Sequence, residues 1–331
     1  MPYVKRRQFI TLLGGIAAAW PLAARAQQER MRRLGVLTVL AESDPEARVR
    51  VGTIEKALQE HGWINGRNLT IEYRWTAGEA QRLEQYAKEL VSLDPDVLLA
   101  IATAASAALH RQTRTVPIVF TQVADPIARG FVSSLPRPGG NMTGFAQYED
   151  EVAVKWVELL KQLAPNVARV TVLHDATNPA TAGYLRAIEA GGPSLGISVS
   201  GAPVRDVGDI GRAFDALTRW ADSGLIVPGS PVTSVHRDMI IELAARHRVP
   251  AVYSLRYFVS SGGLASYGID NVDLHRRAVS YVDRILRGEK PANLPVQFAN
   301  KLELVINLRT ATALGLDPPI SLLARTDEVI E

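Results

Sequence analysis

The sequence predicts an α/β protein of two similar lobes, each a parallel sheet flanked by helices, joined by a hinge that the chain crosses several times. Three observations predict it. Short apolar runs alternate with segments of helical period, which is how strands buried on both faces of a parallel sheet read. A stretch that neither helix nor central strand tolerates, Pro136-Arg137-Pro138-Gly139-Gly140-Asn141, interrupts this rhythm, and the rhythm then restarts. After the second series the chain does not stop: a further helix and further extended segments follow.

The elements read in order. Leu34–Leu40 is a continuous apolar strand; Val51, Ile54 and Leu58 recur at helical spacing, and Gly62 ends that helix. Leu69, Ile71, Tyr73 and Trp75 alternate as in a second strand. Leu83, Tyr86, Ala87 and Leu90 mark a second helix. Val97–Ile101 and Pro117–Phe120 are strands around an alanine-rich helix, Ala104–Arg111. Beyond the break, Val154, Val157, Leu160 and Leu163 share a helix face. Strands at Val170–Leu173, Ile197–Val199, Leu225–Val227 and Ala251–Tyr253 then alternate with helices at Ala182–Ala190, Ile210–Trp220 and Met239–Arg246. Gly262 and Gly263 open a crossing, Val272–Arg287 is a long amphipathic helix, and Leu294–Val296 and Leu302–Ile306 are extended. The expected division is 1–26 leader, 27–145 with about 271–293 as the first lobe, and 146–270 with about 294–331 as the second.

The leader is read from Lys5, Arg6 and Arg7, the apolar run Phe9–Leu22, and the small residues of Ala24-Arg25-Ala26. This is the layout of a secretory signal cleaved before Gln27. Arg6-Arg7-Gln8-Phe9-Ile10 resembles a twin-arginine signal, with ordinary Sec export the alternative. The expected location is therefore the periplasm. Without the four basic residues of 1–26, the chain's 37 basic side chains become 33 against 34 acids, a net of −1. No basic excess remains to suggest nucleic-acid binding. The chain has no cysteine, so neither disulfides nor thiolate metal sites are available.

The dinucleotide, nucleotide and zinc-protease motifs of α/β enzymes do not occur: no G-x-G-x-x-G, no G-x-x-x-x-G-K-[ST], no H-E-x-x-H. Gly192-Pro193-Ser194-Leu195-Gly196 spells G-x-S-x-G, but between a helix and a strand and not on the strand-to-helix turn that a nucleophile elbow needs. The six histidines are dispersed without metal spacing. No catalytic residue, metal or cofactor is expected.

Candidate site residues follow from the rule that ligands bind beyond the carboxyl ends of the strands of open sheets. In the first lobe they are Ser43, Thr103 and Ser106, Gln122 and Asp125. The helix opening at Thr103 favours an anion such as a carboxylate, although Thr103 also reads as a helix cap and Asp125 as the cap of the Asp125-Pro126 turn. Gln147 and Tyr148 face the cleft from the first crossing. In the second lobe the candidates are Asp175, Asn178, Ser230, Tyr253 and Arg256, with Tyr267 and Asp270 on the returning crossing. Tyrosines suit a cleft that stacks and hydrogen-bonds. Arg256 reads equally as a partner for a ligand carboxylate or as a bridge between lobes.

Four stretches carry a family likeness: Arg6-Arg7-Gln8-Phe9-Ile10-Thr11-Leu12-Leu13-Gly14-Gly15; Pro117–Phe120 leading to Val123-Ala124-Asp125-Pro126; Gly140-Asn141-Met142-Thr143-Gly144; and Ser266-Tyr267-Gly268-Ile269-Asp270. With these the chain resembles the TrpX-like group of ABC transporter substrate-binding proteins, of the type I periplasmic-binding-protein fold. The resemblance implies an extracytoplasmic protein that captures a small molecule, such as an amino acid or aromatic carboxylate, between two closing lobes. It also implies an ABC permease in the inner membrane as partner, and a monomer. The second-lobe loops Asp175-Ala176-Thr177-Asn178 and Gly229-Ser230-Pro231-Val232 depart from the amino-acid binders of that group. An exported α/β enzyme acting on a small molecule is the alternative, and a ligand sensor docking on a membrane receptor shares the same clamp.

Overall fold

The computed structural model describes residues 31–147, 152–176 and 178–331. The leader and Tyr148 lie outside the described residues. No helix among them is long and apolar enough to cross a membrane.

The first lobe begins with β1 (Arg32–Thr38), α1 (Pro45–Glu60), β2 (Leu69–Trp75), α2 (Ala80–Ser92), β3 (Val97–Ile101), α3 (Thr103–Gln112), β4 (Ile118–Val123) and β5 (Met142–Ala146). Local chemistry explains the boundaries. Asp44 caps α1 by accepting from the Glu46 amide at 2.9 Å, with Pro45 preset for the first turn. Every side chain of β3 is buried, as a strand covered on both faces requires.

The second lobe contains α4 (Val152–Leu163), β6 (Arg169–Asp175), α5 (Pro179–Gly191), β7 (Ser198–Val204), α6 (Val207–Leu217), β8 (Ser223–Val227), α7 (Pro231–Val235), α8 (Arg237–Arg246), β9 (Ala251–Tyr253), α9 (Arg256–Ser260) and β10 (Ala265–Ile269). The chain returns to the first lobe for α10 (Asn271–Leu286) and β11 (Gln297–Phe298). It crosses again into β12 (Leu302–Asn307), α11 (Leu308–Leu314), α12 (Ile320–Leu323) and β13 (Glu328–Ile330).

Among the described residues two sheets form, ordered β11-β5-β4-β3-β1-β2 and β13-β12-β10-β9-β8-β6-β7. The first is parallel throughout; the second is parallel except where β10 meets β12. The α/β class and the helix-flanked parallel sheets are those expected. Residues 294–298 are a correction. They were expected in the second lobe, but Leu294 is fully buried in the first-lobe core and Gln297–Phe298 pairs with Phe145–Ala146. Two segments to which the sequence assigns no strand are strands: Met142–Ala146 joins the first sheet beside β4, and Ala265–Ile269 lies between β9 and β12.

The returning helix belongs to the first lobe because its apolar face does. Leu274, Ala278, Val279 and Val282 pack with Leu34, Leu99, Val119 and Phe145. In the second lobe Trp156 is fully buried, edge-on to Tyr184 at 5.3 Å, and its indole donates to the Tyr267 carbonyl at 2.6 Å. Both sheets therefore hold their strand ends rigidly on either side of one cleft.

Glu303, on β12 opposite Gly268 of β10, bears the electrostatics of this hinge. Burial, then the Asp270 charge, raises its carboxyl to about 7; Arg256 opposes the shift, and Glu328 and Asp327 add to it. A folded-state value above the ordinary 4.5 means that its stabilising contribution is fully present below about 4.5 and is lost as pH rises through about 7. Glu303→Gln should therefore raise the melting temperature at about pH 8 and change it little at about pH 5. Calorimetry at the two pH values checks this, and an equal effect at both would contradict it.

Candidate functional site

A cavity of about 190 Å³ lies between the lobes, at the carboxyl ends of strands from both sheets. Leu40, Arg50, Thr103, Gln122 and Arg129 of the first lobe line it, with Gln147 from the first crossing. Asp175, Asn178, Ser230, Ser234, Leu255 and Tyr257 close it from the second lobe.

The first-lobe wall is built on unusual backbone. Ala102 and Gln122 have φ of 89° and 56°, left-handed values at the ends of β3 and β4. Such conformations in residues with a Cβ cost of order 1–3 kcal/mol and cluster at functional sites. The turn at Ala102 starts α3 at the cavity wall, where Thr103 and Ala104 lie. The first-turn amides of a helix have no intrahelical acceptor and sit at the positive end of its dipole. Thr103 does not cap α3; its hydroxyl accepts from the Ala124 amide at 3.3 Å and so fixes the loop after β4. Gln122 donates to Asn271 at 2.6 Å and is thereby tied to the start of α10.

Two arginines enter from the same lobe. Arg50 is 4% exposed and its Nε donates to Glu46 at 3.2 Å. Arg129 donates Nε to the Ala124 carbonyl at 2.8 Å; burial lowers its pKa, and the Asp125 charge partly offsets this. Among the described residues no carboxylate forms an ion pair with Arg129.

The second-lobe wall is acidic and aromatic. Asp175 ends β6 and is 6% exposed, and its carbonyl accepts from the Asn178 amide and the Thr181 hydroxyl. Ser230 caps α7 in a reciprocal pair with Thr233. The Tyr257 hydroxyl lies 2.6 Å from that of Ser234, and burial pushes its pKa up to about 12, so it stays neutral. Gln147 accepts from the Tyr184 hydroxyl at 3.2 Å, linking crossing to second lobe.

Thr103, Gln122, Gln147, Asp175, Asn178 and Ser230 thus meet at one cavity. The other candidates are corrected by their surroundings. Ser43 is exposed in the turn before α1. Ser106 is fully buried inside α3 and bonds back to the Ala102 carbonyl. Asp125 is exposed and caps its own turn by accepting from the Ala128 amide at 2.9 Å. Tyr253 is stacked on Phe258 in the second-lobe core. Arg256 pairs with Glu328 and lies 3.8 Å from Glu303, so it ties its own lobe together. Tyr267 lines a groove with Lys155 and Leu304 instead of the cavity. Asp270 caps α10 and pairs with Lys301 at 2.8 Å, a hinge role.

Arg50, Arg129, Ser234 and Leu255 were not among the candidates. Arg50 had a signal. It lies three residues after Ala47 and four before Ile54, on the buried stripe of α1, where an arginine needs a reason. Arg129 follows a Pro turn with no periodicity to place it.

The profile of a family described as ABC transporter substrate-binding protein matches residues 35–330, nearly all of the described chain. The chain belongs to that family. As an ABC transporter substrate-binding protein it takes up a small-molecule ligand outside the cytoplasm and works with a permease. It is 26% identical over 292 residues to a tyrosine-binding protein of Clostridioides difficile, covering 88% of this chain and 83% of the relative. A conserved domain protein of Vibrio cholerae superimposes with a TM-score of 0.83 at 28% identity, over 91% of this chain and all of that one. An ABC domain from Streptococcus pneumonia in complex with L-Trp superimposes with a TM-score of 0.82 at 27% identity, over 90% and 99% of the two chains.

Proposed function

We propose that this substrate-binding protein captures a free amino acid with an aromatic or apolar side chain, and does no chemistry on it. The observation that carries the reading is the charge layout of the cavity. Arg129 and the opening turn of α3 offer one wall to a carboxylate, and Asp175 offers the opposite lobe to an ammonium. Between them Leu40, Leu255 and Tyr257 make an apolar floor with one hydroxyl. At about 190 Å³ the cavity has room for one small molecule, below the roughly 300–1,000 Å³ of pockets that take drug-sized ligands. The tyrosine- and tryptophan-binding relatives support it. Because the two ends of the ligand are held by different lobes, its binding stabilises closure. We further infer that the protein acts in the periplasm as a monomer after removal of residues 1–26.

The test is a thermal-shift and calorimetric screen of residues 27–331 against tyrosine, tryptophan, phenylalanine and leucine. Each is paired with its decarboxylated amine and its deaminated acid. A ligand of the folded state alone raises the melting temperature by mass action. One or more amino acids should do so, the amine and the acid should not, and mass spectrometry should recover the ligand unchanged. Equal binding of the amine would remove Arg129 and α3 as carboxylate receivers. Consumption of the ligand would favour an exported enzyme.

A further inference from the structure

The two lobes meet outside the cavity through protein groups alone. Asp44, at the start of α1 in the first lobe, accepts from Arg237 Nη1, at the start of α8 in the second lobe, at 2.6 Å. The two residues are 193 positions apart in the chain, and their side chains are only 9% and 10% exposed. We propose that this pair is a closure latch: it adds to the closed state a stabilisation that does not pass through the ligand, and so sets how much ligand affinity the protein realises.

Each end is prepared for the pairing. Asp44 already accepts the Glu46 amide on its other oxygen, so its carboxylate is held in place by the helix it caps. The Arg237 guanidinium lies 5.5 Å from the ring centre of Tyr257, which lines the cavity and bonds Ser234. Asp238, at 3.5 Å from Arg237 Nε, is the other acid beside it and is largely exposed. A charge pair buried this far gains most when its remaining hydrogen-bond capacity is met. A helix amide meets the second Asp44 oxygen and an aromatic ring faces the guanidinium, while Arg237 Nε is buried without a hydrogen-bond partner among the described residues. The lobes also come close at Gly78 of the first lobe, where a Cβ added to the glycine would sit 3.0 Å from the Val235 side chain of the second. In the open form Asp44 and Arg237 belong to separated lobes and return to water. The pair therefore distinguishes the two states, which is what shifting their populations requires. Arg237 is a positioning residue, acting on ligand through closure and through Tyr257. This inference does not depend on which ligand the cavity takes.

The chain has no cysteine, so spin labels at Lys56→Cys and Ala216→Cys, exposed positions on α1 and α6, report inter-lobe distance without background. Double electron–electron resonance on residues 27–331 should show a short-distance, closed population. Asp44→Asn keeps the helix cap and removes the charge. Arg237→Gln removes the charge at similar length. Each should lower the closed-to-open ratio roughly tenfold, and the double variant should do no more than either alone. Arg237→Lys, which keeps the charge, should retain most of the closed population, and this variant covers the case in which Arg237→Gln folds poorly. Wild-type protein without a closed population, single variants with an unchanged ratio, or strictly additive effects would each overturn the latch.

Discussion

Gly144→Ala should remove the folded protein from solution. Gly144 lies in β5 opposite Phe120 of β4, with φ of +151°. A Cβ there would fall 2.0 Å from the Phe120 carbonyl oxygen and 2.6 Å from its amide nitrogen. Both atoms are backbone of the neighbouring strand, so no side chain can swing aside. Left-handed strain and overpacking each cost about 1–3 kcal/mol, and together about 2–6 kcal/mol. That is a large share of the 5–15 kcal/mol that holds a typical domain folded. The damage falls on the site as well, since Gln122 lies at the end of β4 and Gln147 follows β5. Expression yield and thermal melting by circular dichroism check it. Gly140→Ala, four residues earlier in open space at ordinary φ, is the control and should melt like the parent. A Gly144→Ala protein melting within a few degrees of wild type would mean that β5 can slide off β4.

Asp175→Asn should cost about 10- to 100-fold in affinity for the amino acid found by the screen. The substitution keeps the shape at the end of β6 and removes the one acidic side chain that lines the cavity among the described residues. A hydrogen bond to a charged group is worth about 1.5–3 kcal/mol, and a ligand ammonium facing a neutral amide loses most of it. The comparison that gives this its meaning is Asp125→Asn. Asp125 sits in a family-like motif yet is exposed and bonded to the Ala128 amide, so its substitution should leave affinity within about twofold. Calorimetric titration of both variants decides between them. A large loss at Asp125 with none at Asp175 would reverse the assignment of the ammonium-binding wall.

How far the site was legible depended on where each residue sits. Strand ends are marked in sequence by the last apolar residue of a run. Gln122, Asp175 and Ser230, just beyond such runs, could be placed at the cleft on that ground alone. Tyr253, placed by the same rule, and Tyr267, placed on the returning crossing, went elsewhere. Tyr253 ends a strand of three residues and turns inward onto Phe258, and Tyr267 lies within a strand, with its carbonyl bonded to Trp156. An aromatic residue near a strand end is drawn to whichever apolar surface is nearer, and sequence spacing does not say which. Arg256 shows the same limit for charge: Glu303 and Glu328 lie far along the chain, and only the return of β12 and β13 brings them to it.

The sequence by itself determined the α/β class, the doubled series of strands and helices, and the family, because apolar periodicity and glycine-bearing turns are local properties. The tertiary structure alone decided which lobe owns residues 294–298, that Arg50 and Arg129 enter the cavity, and that Asp44 meets Arg237 across the cleft. Those outcomes depend on pairings between segments tens to hundreds of residues apart. The burial of a helix face or a charge there is settled by what the distant segment presents, and no local pattern carries that information.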